Sequence, residues 1–150
     1  MSNEERGVLL IVDDDAINRA VLEEIFAADY AIEEAENGAA GLEKILVEPD
    51  RLCAVLLDVV MPAMDGLEVL RRLRQEDLLR RIPVFLITAE AGDQVLREAY
   101  SLGVMDVISK PVVPYLVRRR VRSVIELFQA RRQLSRTVES QRGRLLRQAE

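Results

Sequence analysis

The chain has 150 residues, is 49% hydrophobic and carries a formal charge of −5, which suits one well-cored domain with an appendage. With no histidine and a single cysteine, it lacks the usual parts of Ser-His-Asp and Cys-His hydrolysis, of an internal disulfide and of most zinc sites. Its chemistry must rest on carboxylates, hydroxyls and amines, and oxygen ligands favour magnesium or calcium.

The opening MSNEERG is too acidic to start a signal peptide, and no apolar run reaches the roughly 18 to 20 residues that span a bilayer. A soluble, cytoplasmic protein with no membrane partner is expected. Val8 to Val12 reads as a first strand that ends in Asp13-Asp14-Asp15, with Asp15 placed to cap a helix over Ile17 to Phe26. A second strand over Tyr30 to Glu34 passes through the Asn37-Gly38 turn into a helix over Gly38 to Leu46. Ala54 to Leu57 is a third strand, preceded by Cys53, a buried and inert thiol in this reading. It runs straight into Asp58, a carboxylate where an apolar run would normally be dry and an ionised group costly. A helix over Leu67 to Leu73, a strand over Val84 to Thr88, a helix over Gln94 to Leu102 closed by Gly103, and a strand over Val104 to Ser109 follow. Short apolar runs alternating with helices whose apolar residues recur at three and four make an α/β fold, (βα)5, with a doubly wound parallel sheet covered on both faces.

The last helix is expected from about Pro114, and charge changes there too. Residues 115–150 hold ten Arg against three Glu, net +7, which leaves −12 for residues 1–114. An acidic first part repels phosphates, so nucleic acid is a disfavoured partner. Arg118-Arg119-Arg120 reads as a solvated or acid-paired helix face. No helix breaker stands between Pro114 and Gly143. Val117, Val124, Val138 and Leu145 recur at sevens, with Leu127 and Leu134 three residues after that register; Arg131, Gln141 and Gln148 interrupt the seam. The expected division is a folded domain over 1–128 and a helical extension over 129–150, a coiled-coil linker to an output domain that these residues do not contain, with a homodimer through 112–148.

In a doubly wound sheet, ligands gather outside the carboxyl ends of the strands. Those ends supply Asp13, Asp14, Asp58, Thr88 and Lys110. The chain has two lysines, Lys44 and Lys110, against nineteen arginines, so a lysine at a strand end points to a need for a compact ammonium. Gathered carboxylates repel one another unless one keeps a proton or a divalent cation settles among them. Magnesium suits such a site because it keeps several waters and shares its shell with phosphate. Asp58, so neutralised, can attack phosphorus, with Lys110 and the Thr88 hydroxyl serving other phosphoryl oxygens.

The motifs LLIVDDD (Leu9 to Asp15), LLDVVMPAMDG (Leu56 to Gly66), LITA (Leu86 to Ala89) and ISKP (Ile108 to Pro111), in this order and spacing, resemble the receiver domains of two-component response regulators over about residues 7 to 128. The resemblance implies a flavodoxin-like sheet of order 2-1-3-4-5 and a phosphorylation-activated signalling switch rather than an enzyme. It implies Mg2+ held by Asp13, Asp14, Asp58 and the Val60 carbonyl, with Asp14 the more direct ligand of the acidic pair. Asp58 would be the phosphoacceptor, Thr88 the switch hydroxyl, and Lys110 a partner of the phosphoryl group preceding a cis bond to Pro111. The implied donor is a histidine kinase or histidine phosphotransfer protein, which a histidine-free chain cannot itself be. One departure is Val107, at the position three before the lysine where the family usually has Tyr or Phe; Val112 likewise stands where Phe is frequent. Tyr100, on the preceding helix, is expected to pack half-buried rather than to substitute. Two other classes compete. A phosphohydrolase of the haloacid-dehalogenase type wants a second acid where Val60 stands. A pseudo-receiver that is never phosphorylated would be expected to have lost an acid, Thr88 or Lys110, and all are present.

Overall fold

The structure is a computed structural model that describes residues 3–149; Met1, Ser2 and Glu150, at the outer ends of the two expected segments, lie outside the described residues. After a helical turn over Asn3–Arg6 come β1 (Val8–Val12), α1 (Ala16–Phe26), β2 (Ala31–Ala35), α2 (Gly38–Val47), β3 (Leu52–Leu57), α3 (Gly66–Gln75), β4 (Val84–Thr88), α4 (Asp93–Leu102), β5 (Asp106–Ser109) and α5 (Pro114–Ala149). The strands form one parallel sheet of order β2-β1-β3-β4-β5. This is the doubly wound, flavodoxin-like arrangement that the sequence led us to expect.

Alternation along each strand assigns the two faces. Leu10, Val12, Val55, Leu57, Val84 and Leu86 point to the layer of α2, α3 and α4, while Leu9, Ile11, Ala54, Leu56, Phe85 and Ile87 point to α1 and α5. Both faces are covered, which is why the strands read as unbroken apolar runs. Tyr30 and Cys53 sit in the second layer, and burial pushes the Tyr30 phenol and the Cys53 thiol each up to about 12. Cys53 is thus the inert thiol expected of it.

Helix starts follow cap chemistry. Asp15 Oδ1 accepts from the N–H groups of Ile17 (2.8 Å) and Asn18, Asn37 from Ala40 (2.7 Å) and Asp65 from Glu68 (2.9 Å). Strand starts differ from expectation by tertiary pairing. β3 begins at Leu52, not Ala54, because Leu52 pairs with Val8 through a register irregularity in the β1–β3 ladder. β5 begins at Asp106, not Val104, because Gly103 at φ 105° ends α4 and the Val104 N–H is spent on the Ala99 carbonyl at 3.1 Å.

α5 runs 36 residues and passes through Gly143 without a break. Its buried residues, Val117, Val121, Ile125 and Phe128, recur at four, four and three and face the sheet. This corrects the expected seam at its amino end. Val117 is 2% exposed and Val124 packs partly buried against the same layer, because the sheet face between α1 and α5 needs a covering helix and takes those residues. Val112 joins that layer too. The solvent-facing remainder is Leu127, Leu134, Val138 and Leu145. The arginine run is acid-paired at two of its three positions. Arg118 makes a two-pronged bond to the buried Asp29 at 2.8 and 3.0 Å, and Arg120 pairs with Asp106. The Arg118 hydrogen bonds hold the Asp29 carboxyl below its ordinary value against the opposing effect of burial, with Arg122 adding to the shift.

Candidate functional site

Backbone pairing carries four of the site residues onto the carboxyl edge of the sheet. The ladder continues past the strand ends, with the Asp13 N–H on the Ala35 carbonyl at 3.1 Å, Asp58 N–H on Val12 at 2.9 Å and Lys110 N–H on Thr88 at 2.9 Å. Asp13, Asp58 and Lys110 are therefore fixed by the same bonds that build the sheet. Thr88 ends β4 and is fully buried.

The loop after Asp58 turns tightly under α3. A Cβ at Gly66 would lie 2.3 Å from the Asp58 carbonyl oxygen and 2.9 Å from the Val59 Cα, so glycine alone lets the helix begin this close to the site. The Asp65 cap and the Gly66 N–H to Val59 carbonyl bond, 2.9 Å, close the same loop.

Side-chain atoms complete the pocket. Carboxylate oxygens of Asp13, Asp14 and Asp58 all lie within 4.8 Å of one another; Asp13 and Asp58 are buried and Asp14 is exposed. The Lys110 ammonium donates to Asp13 Oδ2 at 2.8 Å and to Asp58 Oδ2 at 3.0 Å. Burial disfavours its charge, but the bonds to Asp13 and Asp58 outweigh burial and hold its pKa above the usual lysine value. Asp13 Oδ1 accepts from the Asp15 N–H at 2.9 Å, and Arg19 donates to the Asp13 carbonyl at 2.7 Å. The Thr88 hydroxyl accepts from the Glu90 N–H at 3.1 Å. The Lys110–Pro111 bond is cis, as the resemblance implied.

The donor set fits a hard divalent cation. Three carboxylates against one ammonium leave a formal −2, every ligand is oxygen, and the exposed Asp14 keeps the site open to water, which suits magnesium. Val60, whose carbonyl was expected in the set, follows Asp58 closely, and its N–H reaches Asp58 Oδ1 at 3.4 Å.

The sequence missed a link at the edge of the sheet. The Tyr100 hydroxyl donates to Asp106 Oδ1 at 2.9 Å and accepts from the Val107 N–H at 3.3 Å, while Arg120 of α5 pairs with Asp106 Oδ2. Tyr100 is 49% exposed, and its hydroxyl ties α4 to β5 beside Val107. The signal in the sequence was an aromatic hydroxyl six residues before an acid, across a helix end.

A doubly wound sheet whose carboxyl edge holds an acidic trio and one lysine defines a receiver-type signalling domain. The chain belongs to the response regulator receiver domain family, whose model matches residues 9–122. It is 32% identical over 126 residues to a probable cyclic di-GMP phosphodiesterase of Vibrio cholerae, covering 84% of this chain and 28% of that protein. It is 41% identical over 108 residues to protein-glutamate methylesterase/protein-glutamine glutaminase 2 of Methanosarcina acetivorans, covering 68% and 29%. Among solved structures, the CheX-CheY-BeF3-Mg+2 complex from Borrelia burgdorferi matches with a TM-score of 0.73 and 29% identity over 79% of this chain and 88% of that one. The chain spans under a third of the length of those two curated relatives. Receiver domains are signalling domains of two-component systems, and they bind Mg2+ at an acidic pocket. Among the described residues, no helix is long and apolar enough to cross a membrane.

Proposed function

We propose that this chain is a phosphorylation-activated switch in which Asp58 accepts a phosphoryl group from a histidine kinase or histidine phosphotransfer protein. The observation that carries this reading is the Lys110 ammonium, held 2.8 Å from Asp13 and 3.0 Å from Asp58. A lone cation fixed between two buried carboxylates is poised for phosphoryl oxygens arriving at Asp58. Asp13, Asp14, Asp58 and the Val60 carbonyl would hold magnesium, which when bound would supply further neutralisation of phosphoryl charge. An Asp58 carboxylate oxygen bonds to phosphorus as the donor P–N bond breaks, and the donor imidazole leaves with the electron pair. Lys110 then serves one phosphoryl oxygen and the Thr88 hydroxyl donates to another. The Borrelia complex brings CheY together with BeF3 and Mg+2, which supports the same chemistry here.

Thr88 turning toward the phosphoryl group repacks β5 and α4 directly, since Val107 is too short to carry a ring swing. The Tyr100–Asp106–Arg120 link passes that shift to α5. In this reading the receiver covers 1–128, ending at Phe128, the last buried residue of α5. Residues 129–150 form the extension toward an output domain or effector, and a homodimer pairs through the exposed Leu127, Leu134, Val138 and Leu145. The test is acyl-phosphate formation with a small phosphodonor and magnesium. Label on Asp58 supports the switch; its absence in a folded chain would assign the pseudo-receiver reading instead.

A further inference from the structure

At the opposite edge of the sheet, where the strands begin, α5 passes two adjoining clefts of about 350 and 430 Å³, and Arg132 and Arg136 line both. Arg80, Arg81 and Arg131 complete the first, with Asp50 its one acid. Asp50 is already paired with Arg81. Among the described residues, no ion pair holds Arg131, Arg132 or Arg136, whereas Arg19, Arg51, Arg71, Arg118 and Arg120 each have a carboxylate. Three guanidinium groups outside any ion pair thus line one concave place on an acidic chain, next to Arg80, which only an exposed Asp77 at 4.0 Å accompanies.

Two contacts fix the arginines there. Arg132 donates to the Arg81 carbonyl at 2.7 Å, and the Arg131 guanidinium carbon sits over the Phe128 ring, 5.4 Å from its centroid. A guanidinium with one face on a ring leaves its other face for a second flat group. Guanidinium forks also match phosphate oxygens in pairs, and the volume falls in the range of small-molecule sites, about 300 to 1,000 Å³. We propose that this cleft binds a nucleoside polyphosphate, with phosphates on Arg80, Arg132 and Arg136 and the base stacked on Arg131. Its occupant would clamp the segment that leaves Phe128 onto the domain, far from the acidic pocket.

The test titrates the full chain, without magnesium and at physiological salt, with ATP, GTP, pyrophosphate and inorganic phosphate, by calorimetry and thermal unfolding. One saturable nucleotide site per chain is expected, about tenfold tighter than pyrophosphate because the base adds a stacked contact. At a hundredfold excess over Kd the midpoint should rise by roughly 5 to 10 °C. Arg132→Gln with Arg136→Gln should weaken nucleotide at least about tenfold while the unliganded melting curve stays close to the parent, since Arg136 is exposed and Arg132 half-buried. Arg131→Ala should erase the preference over pyrophosphate. Asp58→Asn should leave the nucleotide Kd and its ratio to pyrophosphate unchanged, which separates this site from the phosphoryl pocket. No saturable binding, equal affinity for pyrophosphate and nucleotides, or affinity unchanged in the double variant would each overturn the assignment. Tighter binding of a DNA duplex or an acidic peptide through the same arginines would also overturn it, in favour of a macromolecular partner.

Discussion

At the carboxyl edge of the sheet, Asp13, Asp58 and Thr88 are buried and tied to neighbouring strands by ladder bonds or strand pairing. Past Phe128, α5 leaves Leu134, Val138 and Leu145 in solvent, with Gln129 bonded to the Arg6 carbonyl and Arg132 to the Arg81 carbonyl. One region is over-determined: displacing its backbone means breaking sheet bonds, and removing a charged partner leaves a buried carboxylate unpaired. The other has little to lose by shifting. A switch needs both, a rigid place where chemistry changes charge and a loosely held element whose rearrangement costs little.

The contrast can be tested from its strongest point downward. Asp58→Asn should reduce phosphate incorporation to background, because an amide is a poor nucleophile; intact-mass measurement after phosphodonor treatment reads this, and label mapped to another residue would refute the assignment. Lys110→Gln should slow phosphorylation by about 10²- to 10³-fold while the label still goes to Asp58, followed as the initial rate of acyl-phosphate formation. Ile125→Ala, at a site with no solvent exposure, should cost about 2 to 5 kcal/mol in urea unfolding. Leu134→Ala, 64% exposed on the same helix, should stay within about 0.5 kcal/mol in the monomer. Equal losses would mean the outer half of α5 is embedded after all.

Phosphorylation should shift the dimerisation constant by roughly 5- to 150-fold, the usual scale of coupling between two sites. Sedimentation with and without a phosphoryl mimic measures it. An identical constant in both states would remove the extension as readout, and a shift surviving truncation at Arg131 would place the interface on the domain. A pH-dependent effect belongs to Arg118→Ala, which removes the two-pronged hydrogen-bond partner of buried Asp29 and leaves only Arg122, 3.8 Å away. Because Arg118 lowers the folded-state pKa of Asp29, the stability it lends is present above the unfolded carboxylate value of about 4 and is lost as pH falls through the depressed folded value. The difference between parent and variant in denaturant midpoint should therefore be widest near neutrality and close in acid.

The site was legible because each member sits at the end of a local pattern. An apolar run of strand length that stops at Asp13, Asp58, Thr88 or Lys110 marks a carboxyl edge without further information, and the ordered motifs supplied the family. From sequence Tyr100 reads as a packing residue because its ring suits a half-buried helix face; its bond to Asp106 spans the α4 to β5 turn, where no periodic pattern reaches. The Arg118–Asp29 pair joins residues 89 apart in the chain, and nothing local distinguishes Asp29 from any other acid near a helix end.

The amino-acid order by itself determined the number and order of the strands, the Asp15 cap and which polar residues stand at the strand ends, because period, cap residues and strand-end position are properties of neighbours in sequence. Tertiary structure alone decided which side of α5 is buried. Val117 belongs to two apolar patterns at once, one through Val121, Ile125 and Phe128 and one through Val124, Val138 and Leu145, and each is helical. The sheet layer of Leu9, Ile11, Ala54, Leu56 and Phe85 offers a dry surface to one of them. Burial against it selects the first pattern as far as Phe128 and leaves the second in solvent beyond, since apolar burial rewards whichever face meets a partner.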